Sequence, residues 1–260
     1  MTKQILLRVG QLNDGTGGNP LPNAAVLIEG DRIKAVLPQP PADLGEAVET
    51  HSFPTGTLLP GLIDAHVHLT VDPNSYDTVA FIRDNTDEQL YELGLSRARQ
   101  FLQASVTTVR DLGARHSVSL RVRDTIAASQ SAGAHVLAAG PVITTVKGHG
   151  YFLGAEVADD TVLAQTIERL LADGVDVIML IGTGGGVTAG SDPTTSQFSA
   201  ASLSLAVDLA HHAGRRVAVH AHSAAGIANC LDAGVDTIEH GTFVTSQGVV
   251  SDERLISRLA

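Results

Sequence analysis

From Thr57 to the last residue, apolar β-rich runs alternate with stretches of helical periodicity, and this alternation limits the fold more than any other feature of the chain. Six runs read as strands: "TLLPGLIDAHVHL", "VTTVRDLG", "AHVLAAGPVIT", "VDVIMLIG", "RRVAVHAH" and "VDTIEHGT". Between them, "DEQLYELGLSRARQFLQA", "DDTVLAQTIERLLADG" and "SLSLAVDLAHHAG" carry the apolar spacing of helices. Gly133, Gly174, Gly214 and Gly234 follow helical stretches and are expected to close them in the left-handed conformation. Such repeats place successive strands parallel, with helices covering the sheet. A closed (β/α) barrel and an open doubly wound sheet both satisfy the pattern.

Residues 1–56 follow another rule. The short β-like runs "QILLRVG", "AAVLIEGDRIKAVL" and "AVETHSF" are separated by the turn-rich "NDGTGGNPLPN" and the proline cluster "LPQPPADLG". "EGDR", Glu29 to Arg32, reads as a hairpin turn. The expected organisation is a small β module over 1–56 and an α/β domain over 57–260. With 43% hydrophobic and 17% charged residues the chain has ample material for a core. Its net charge of −11 argues against nucleic acid or an anionic membrane surface as a partner. No apolar run has the length of a membrane span, and Arg8 breaks the N-terminal apolar patch, so a cytoplasmic protein is expected. The single cysteine, Cys230, excludes an intrachain disulfide and reads as a buried, inert thiol.

Histidines separate barrel from open sheet. In "GLIDAHVHL" the side chains of His66 and His68 fall on one face of the strand, a spacing that lets two imidazoles bind one divalent cation. His220 and His222 repeat that spacing near the end of the fifth run, and His240 lies near the end of the sixth. In a barrel the C-terminal ends of all strands meet at one bowl, whereas an open sheet keeps the first, fifth and sixth apart. Five histidines at three strand ends favour a barrel with a metal at its mouth.

"LLPGLIDAHVHL", "VTTVRDLG" and "VAVHAHSAAGIANCLDAGVDTIEHGT", in this order, resemble the amidohydrolase superfamily, in particular its imidazolonepropionase-like and Xaa-Pro dipeptidase-like members. The resemblance implies a metal-dependent hydrolase: a distorted (β/α)8 TIM-like barrel with a β-sandwich formed by both chain ends, whose N-terminal part is the module at 1–56. By the resemblance His66, His68, His220 and His240 are metal ligands. By the same resemblance His222 and His149, the latter in the "KGHGYF" loop, face the substrate and act on it; read from the sequence itself, Tyr151 and Phe152 sit in a glycine-flanked loop expected to close over substrate.

Two departures stand against the matches. Binuclear relatives carry a carboxylated lysine on the fourth strand; here the matching position in "VDVIMLIGTGGGVT" is Met179, whose thioether forms no carbamate. One ion, zinc or another divalent metal, is therefore expected, or a disabled site; Lys147 reads as a loop lysine, not a substitute. The second departure is length. Six βα units are present where eight are expected, and "SDERLISRLA" reads as the helix after the sixth, capped by Ser251 or Asp252. The missing strands would carry the aspartate that takes the proton from the metal's water. Either a second chain completes the barrel, making an oligomer, or the sequence continues beyond Ala260.

"GTGGGVTAG" matches no phosphate-binding pattern and reads as a tight turn beneath the metal, where glycine lets the backbone approach a substrate. Arg110 and Asp111 read as a local ion pair. His51, His116, His135, His211 and His212 are assigned structural roles. The expected reaction is hydrolysis of a C–N bond in a small molecule such as a dipeptide, an N-acyl amino acid or a cyclic amide, with specificity set by loops 71–86, 144–158 and 182–199. A non-catalytic scaffold or binding subunit and a mononuclear deaminase are the alternatives.

Overall fold

In the computed structural model, which describes residues 3–40 and 48–259, Gly30 turns the chain at φ +62° between two strands of a mixed sheet. These are the third and fourth of five: β1 (Gln4–Leu12), β2 (Leu21–Pro22), β3 (Ala25–Glu29), β4 (Arg32–Leu37) and β5 (Val48–Leu58). The order is β2-β1-β3-β4, and β5 pairs with β1 in parallel. Val9, Leu12, Ala24 and Val26 form a small core on this sheet. The described strands make one sheet, not the two layers of a sandwich. Residues 41–47, with most of the proline cluster, lie outside the described residues. The chain divides into two units at Gly61, and β5 runs across the boundary expected at 56.

The second unit, Leu62–Ala260, is the α/β part. Its elements are β6 (Leu62–Val67), α1 (Thr78–Asp84), α2 (Asp87–Gln103), β7 (Val106–Asp111), α3 (Val118–Ala127), β8 (His135–Ala138), β9 (Val142–Thr145), β10 (Gly154–Val157) and α4 (Asp160–Ala172). Then come β11 (Val177–Ile181), α5 (Ala200–His212), β12 (Arg216–Ser223), α6 (Ala224–Ala233), β13 (Thr237–Thr245), β14 (Gly248–Val249) and α7 (Glu253–Leu259). The described strands do not close into a barrel. They form a parallel sheet β6-β7-β8 and a second sheet β10-β9-β11-β12-β13-β14, parallel except for its last pair. The run "AHVLAAGPVIT" is two strands, because Gly140 takes a left-handed φ of +66° and Pro141 brings no N–H to a ladder. Across that break the Asp176 N–H donates to the Ala138 carbonyl and Asp176 Oδ2 accepts from the Ala138 N–H, both at 2.9 Å, so β8 still meets the start of β11.

Strand β11 shows how the layers form. Ile178 and Leu180 point into the core shared with helix residues Leu163, Ile167, Leu203 and Ile227. Val177, Met179 and Ile181 point to the opposite, inner cluster with Val142 and Ala218. A strand buried on both faces must be apolar throughout, which is why this run lacks alternation. Helices start where sequence signals put them: Thr86 and Gln89 form a capping box on α2, and Asp159, Ser199 and Ser223 cap α4, α5 and α6. Asp252 caps α7 through the Arg254 and Leu255 N–H groups. Gly174, Gly214 and Gly234 are left-handed as expected. Gly133 is not: α3 has ended at Ala127, Ser129 takes the positive φ, and Gly133 instead sits where an added Cβ would come 2.8 Å from Ile126 Cδ1 and 3.1 Å from Ala98 Cβ. Among the described residues no helix is long and apolar enough to cross a membrane.

Candidate metal centre

Two strand ends deliver histidine pairs by the same rule. His66 in β6 and His68 just beyond it share a face, as do His220 and His222 in β12. His240 arrives by another route. In a regular strand it would face away from Glu239, but its φ is +69° and the β12–β13 register shifts beside it. A non-glycine residue held there stores of order 1–3 kcal/mol of strain, which is typical of functional positions. Both Glu239 and His240 thereby reach the same cavity.

That cavity has a volume of about 600 Å³, and six histidines line it: His66, His68, His149, His220, His222 and His240. Ring centroids are 4.9 Å apart for His66 and His240, 4.6 Å for His220 and His240, and 4.5 Å for His220 and His222. His68 is 5.3 Å from His66, and His149 is 4.9 Å from His220. One nitrogen from each of His220, His222 and His240 falls within 4.8 Å of the others, a spacing that suits one cation.

The hydrogen bonds decide which nitrogen each ring offers. His66 Nδ1 donates to Glu239 Oε2 at 2.9 Å and His68 Nδ1 donates to the Gly113 carbonyl at 3.0 Å, leaving Nε2 as the free lone pair on both. His220 does the reverse, donating from Nε2 to the Gly184 carbonyl at 3.2 Å and leaving Nδ1. His222 Nδ1 bonds Thr242 Oγ1 at 2.8 Å. Burial, reinforced by neighbouring imidazoles, pushes His149 and His240 down to about 4. It does the same to His68 against the pull of its Gly113 bond, and lowers His220 further still. Neutral imidazoles with oriented lone pairs are what a divalent cation requires, so the donor set fits a metal such as zinc.

Met179 is 1% exposed and lies on the cavity wall. Thr144 and Gln197 grip the backbone of His149: Thr144 Oγ1 donates to its carbonyl at 2.8 Å, and its N–H donates to Gln197 Oε1 at 2.7 Å. The imidazole Nδ1 of His149 is buried without a partner. Gly185 passes directly against that ring, where a Cβ would come within 2.5 Å of Nε2. The glycine run thus packs against His149 and contributes Gly186 to the cavity wall. Loops 71–86, 144–158 and 182–199 contribute Val71 and Thr78, Phe152 and Leu153, and Gly186 and Val187 to the lining. Tyr151 is elsewhere: it faces an adjoining outer groove with Tyr76, and Phe152 takes the cavity side. Lys147 is exposed in its loop. His51, His116 and His211 pair with Glu49, Asp87 and Asp236 at the surface.

Arg110 and Asp111 do not pair with each other. Arg110 Nη2 donates to Glu239 Oε1 at 2.7 Å, while the fully buried Asp111 accepts from the Leu69 and Gly113 N–H groups at 2.8 and 3.1 Å. Burial raises Asp111 to about 7 despite those bonds. Burial would also raise Glu239, but His66, Thr237 and Arg110 outweigh it and hold the carboxyl below its usual range. Glu239 carries no mark in the spacing of the sequence, because strand alternation turns it away from His240. The only available signal was its adjacency to a histidine before glycine.

A cavity walled by convergent histidines on the ends of parallel strands offers a donor set that could hold a divalent cation. Residues 57–256 match the amidohydrolase family, and the chain belongs to it. It is 27% identical over 280 residues to ochratoxinase of Aspergillus niger, an alignment that takes in 94% of this chain and 56% of that protein. Among solved structures it resembles a Xaa-Pro dipeptidase with methionine bound in its active site (TM-score 0.81, 27% identity, 94% of this chain and 63% of that one). It also resembles a putative prolidase from Bifidobacterium longum (TM-score 0.78, 28% identity, 99% and 57%). The chain spans about 56% of the curated relative's length.

Proposed function

We propose that this chain is the metal-binding part of an amidohydrolase that cleaves the C–N bond of a small amide: a dipeptide, an N-acyl amino acid or a cyclic amide. The observation that carries the reading is the convergence of six imidazoles from three strand ends and one loop on a single cavity. The similarity to ochratoxinase, and to solved structures described as a Xaa-Pro dipeptidase and a prolidase, supports the reaction class. His66 and His68 through Nε2, His220 through Nδ1 and His240 would hold one divalent cation, zinc by its donor set. When bound, such a cation supplies a water of near-neutral pKa and polarises the scissile carbonyl.

The remaining chemistry belongs to the chain's own side chains. His149, kept neutral and gripped by Thr144 and Gln197, donates a hydrogen bond to the oxygen that gains charge, and His222 orients the other end of the substrate. Phe152, Val187 and Val71 exclude water from the bowl. The apolar wall left by Met179 in place of a bridging lysine supports one ion instead of two. Further strands, from a second chain or from additional sequence, would pair with the edge of β6 that has no strand partner among the described residues, where Leu62 and Ile63 are 55% and 71% exposed. Such polypeptide would also provide the general base. Incubation with a panel of N-acyl amino acids and Xaa-Pro dipeptides, with zinc or with chelator, tests the reading. Zinc-dependent release of an amino acid supports it, and turnover that persists in chelator overturns it. The same Met179 also favours a second reading, a scaffold subunit that binds no metal.

A further inference from the structure

We propose that Arg110, Asp111 and Glu239 form a positioning frame that fixes which nitrogen the two first-strand histidines present to the cation. The inference rests on the metal reading above and deepens it.

Glu239 has no spare oxygen. Oε2 accepts the Nδ1–H of His66 at 2.9 Å, while Oε1 accepts from Arg110 Nη2 at 2.7 Å and from Thr237 Oγ1 at 2.9 Å. With its side chain 8% exposed and both oxygens engaged, it is built to hold a ring and not to ligate an ion itself. Arg110 completes the frame. Its Nε donates at 2.7 Å to the carbonyl of Ala65, the residue preceding His66, and Nη1 reaches Thr237 Oγ1 at 3.3 Å. One guanidinium thus ties the backbone of β6 to the carboxylate on β13 that orients the β6 imidazole, across 173 residues of sequence.

Asp111, the next residue, does the same for His68 at one remove. Its Oδ2 accepts from the Leu69 N–H, directly after His68, and its Oδ1 accepts from the Gly113 N–H. The Gly113 carbonyl then takes the Nδ1–H of His68. Gly113 has to be glycine, since at φ +155° a Cβ would meet Val142 at 2.4 Å and the His68 ring at 3.4 Å. Both imidazoles are therefore locked with the proton on Nδ1 and Nε2 free. A ring whose outer N–H is held by a carboxylate or carbonyl keeps its tautomer and orientation and gains basicity as a ligand.

A purely structural ion pair between Arg110 and Glu239 would affect folding but not ligand presentation, and the test separates the two. Zinc affinity is measured by chelator competition for the wild-type chain, Glu239→Gln and Glu239→Asp, alongside thermal melts in chelator. The tautomer of His66 is read by 15N NMR in the zinc-free wild type, which needs no variant to fold. The frame predicts an Nδ1–H tautomer at His66. It also predicts a zinc Kd raised roughly 10–100-fold in Glu239→Gln, with Glu239→Asp intermediate, in protein that still melts cooperatively. An unchanged Kd in folded variants, or an Nε2–H tautomer in the wild type, overturns the frame while leaving the metal reading intact. A wild-type chain that binds no zinc overturns the metal reading, and the frame with it.

Discussion

Asp111→Asn isolates one buried carboxyl whose cost and benefit pull in opposite directions with pH. The side chain is 0% exposed and receives two backbone N–H groups. Asparagine keeps one acceptor oxygen and turns the other into an NH2 that faces an N–H, so either Leu69 or Gly113 loses its partner. A buried donor left unpaired costs about 1–3 kcal/mol. Set against this, Asp111 has a folded pKa of about 7 against 3.8 unfolded, so the native state holds a proton that the unfolded state has released. Wild-type stability from this group is therefore full below about pH 4 and declines as pH rises through 7. At about 1.4 kcal/mol per unit, the loss reaches about 4 kcal/mol at alkaline pH. Asparagine has no such loss. Near pH 4 the variant should melt roughly 4–8 °C below wild type, for a deficit of about 2 kcal/mol; by about pH 5.5 the wild type has lost a similar amount and the gap should be nearly closed, and by pH 9 it should have inverted. Differential scanning fluorimetry or calorimetry in chelator checks this, since the histidines titrate equally in both proteins and cancel. A gap that widens with pH would mean that the carboxylate is ionised and strongly held, and would refute the reasoning.

Other outcomes follow from the same geometry. His66→Gln should weaken zinc binding far more than His222→Gln, measured by chelator competition; the opposite order would move the ion to the compact set of His220, His222 and His240. In the zinc-free protein His68, His149 and His240 sit near 4, below the roughly 6.5 of an unfolded histidine, so the stability they confer is present above pH 6.5 and lost toward pH 4. Urea midpoints that rise on acidification over that window would contradict this. Gly226→Ala should cost about 1–3 kcal/mol in urea unfolding, because its Cβ would come 2.2 Å from Thr183 Cγ2 where α6 meets the loop after β11. Met179→Leu conserves volume, so it should change stability by less than about 1.5 kcal/mol and leave the zinc content unaltered.

Much of the site could be read from one-dimensional spacing, because strand periodicity is local. His66 with His68, and His220 with His222, share faces by the rule of alternation alone. Met179 is marked only by the family resemblance, since its run is apolar throughout and spacing gives it no signal. Glu239 and His240 escaped the same rule for a backbone reason: a left-handed residue inside β13 cancels the alternation, and nothing in "IEHGT" except the following glycine hints at it. The Arg110–Glu239 contact joins residues 129 apart, so charge adjacency in "VRD" suggested the wrong partner. The division of "AHVLAAGPVIT" into β8 and β9 was marked by "GP", a breaker pair that a purely hydrophobic reading overlooks. In the loop after strand β9, the sequence marks the aromatic pair but not which of its members faces inward. Tyr151 and Phe152 alternate about a short helical turn whose direction depends on packing.

The central claim is that the six-histidine cavity binds a single catalytic cation. Elemental analysis of the chain purified with zinc, paired with the His220→Ala and His240→Ala variants, addresses it most directly. The account predicts about one zinc per wild-type chain and loss of that zinc from both variants, in protein that remains folded. Two zinc ions per chain would contradict the single-ion assignment made from Met179, and a metal-free, folded wild-type chain would contradict the claim itself.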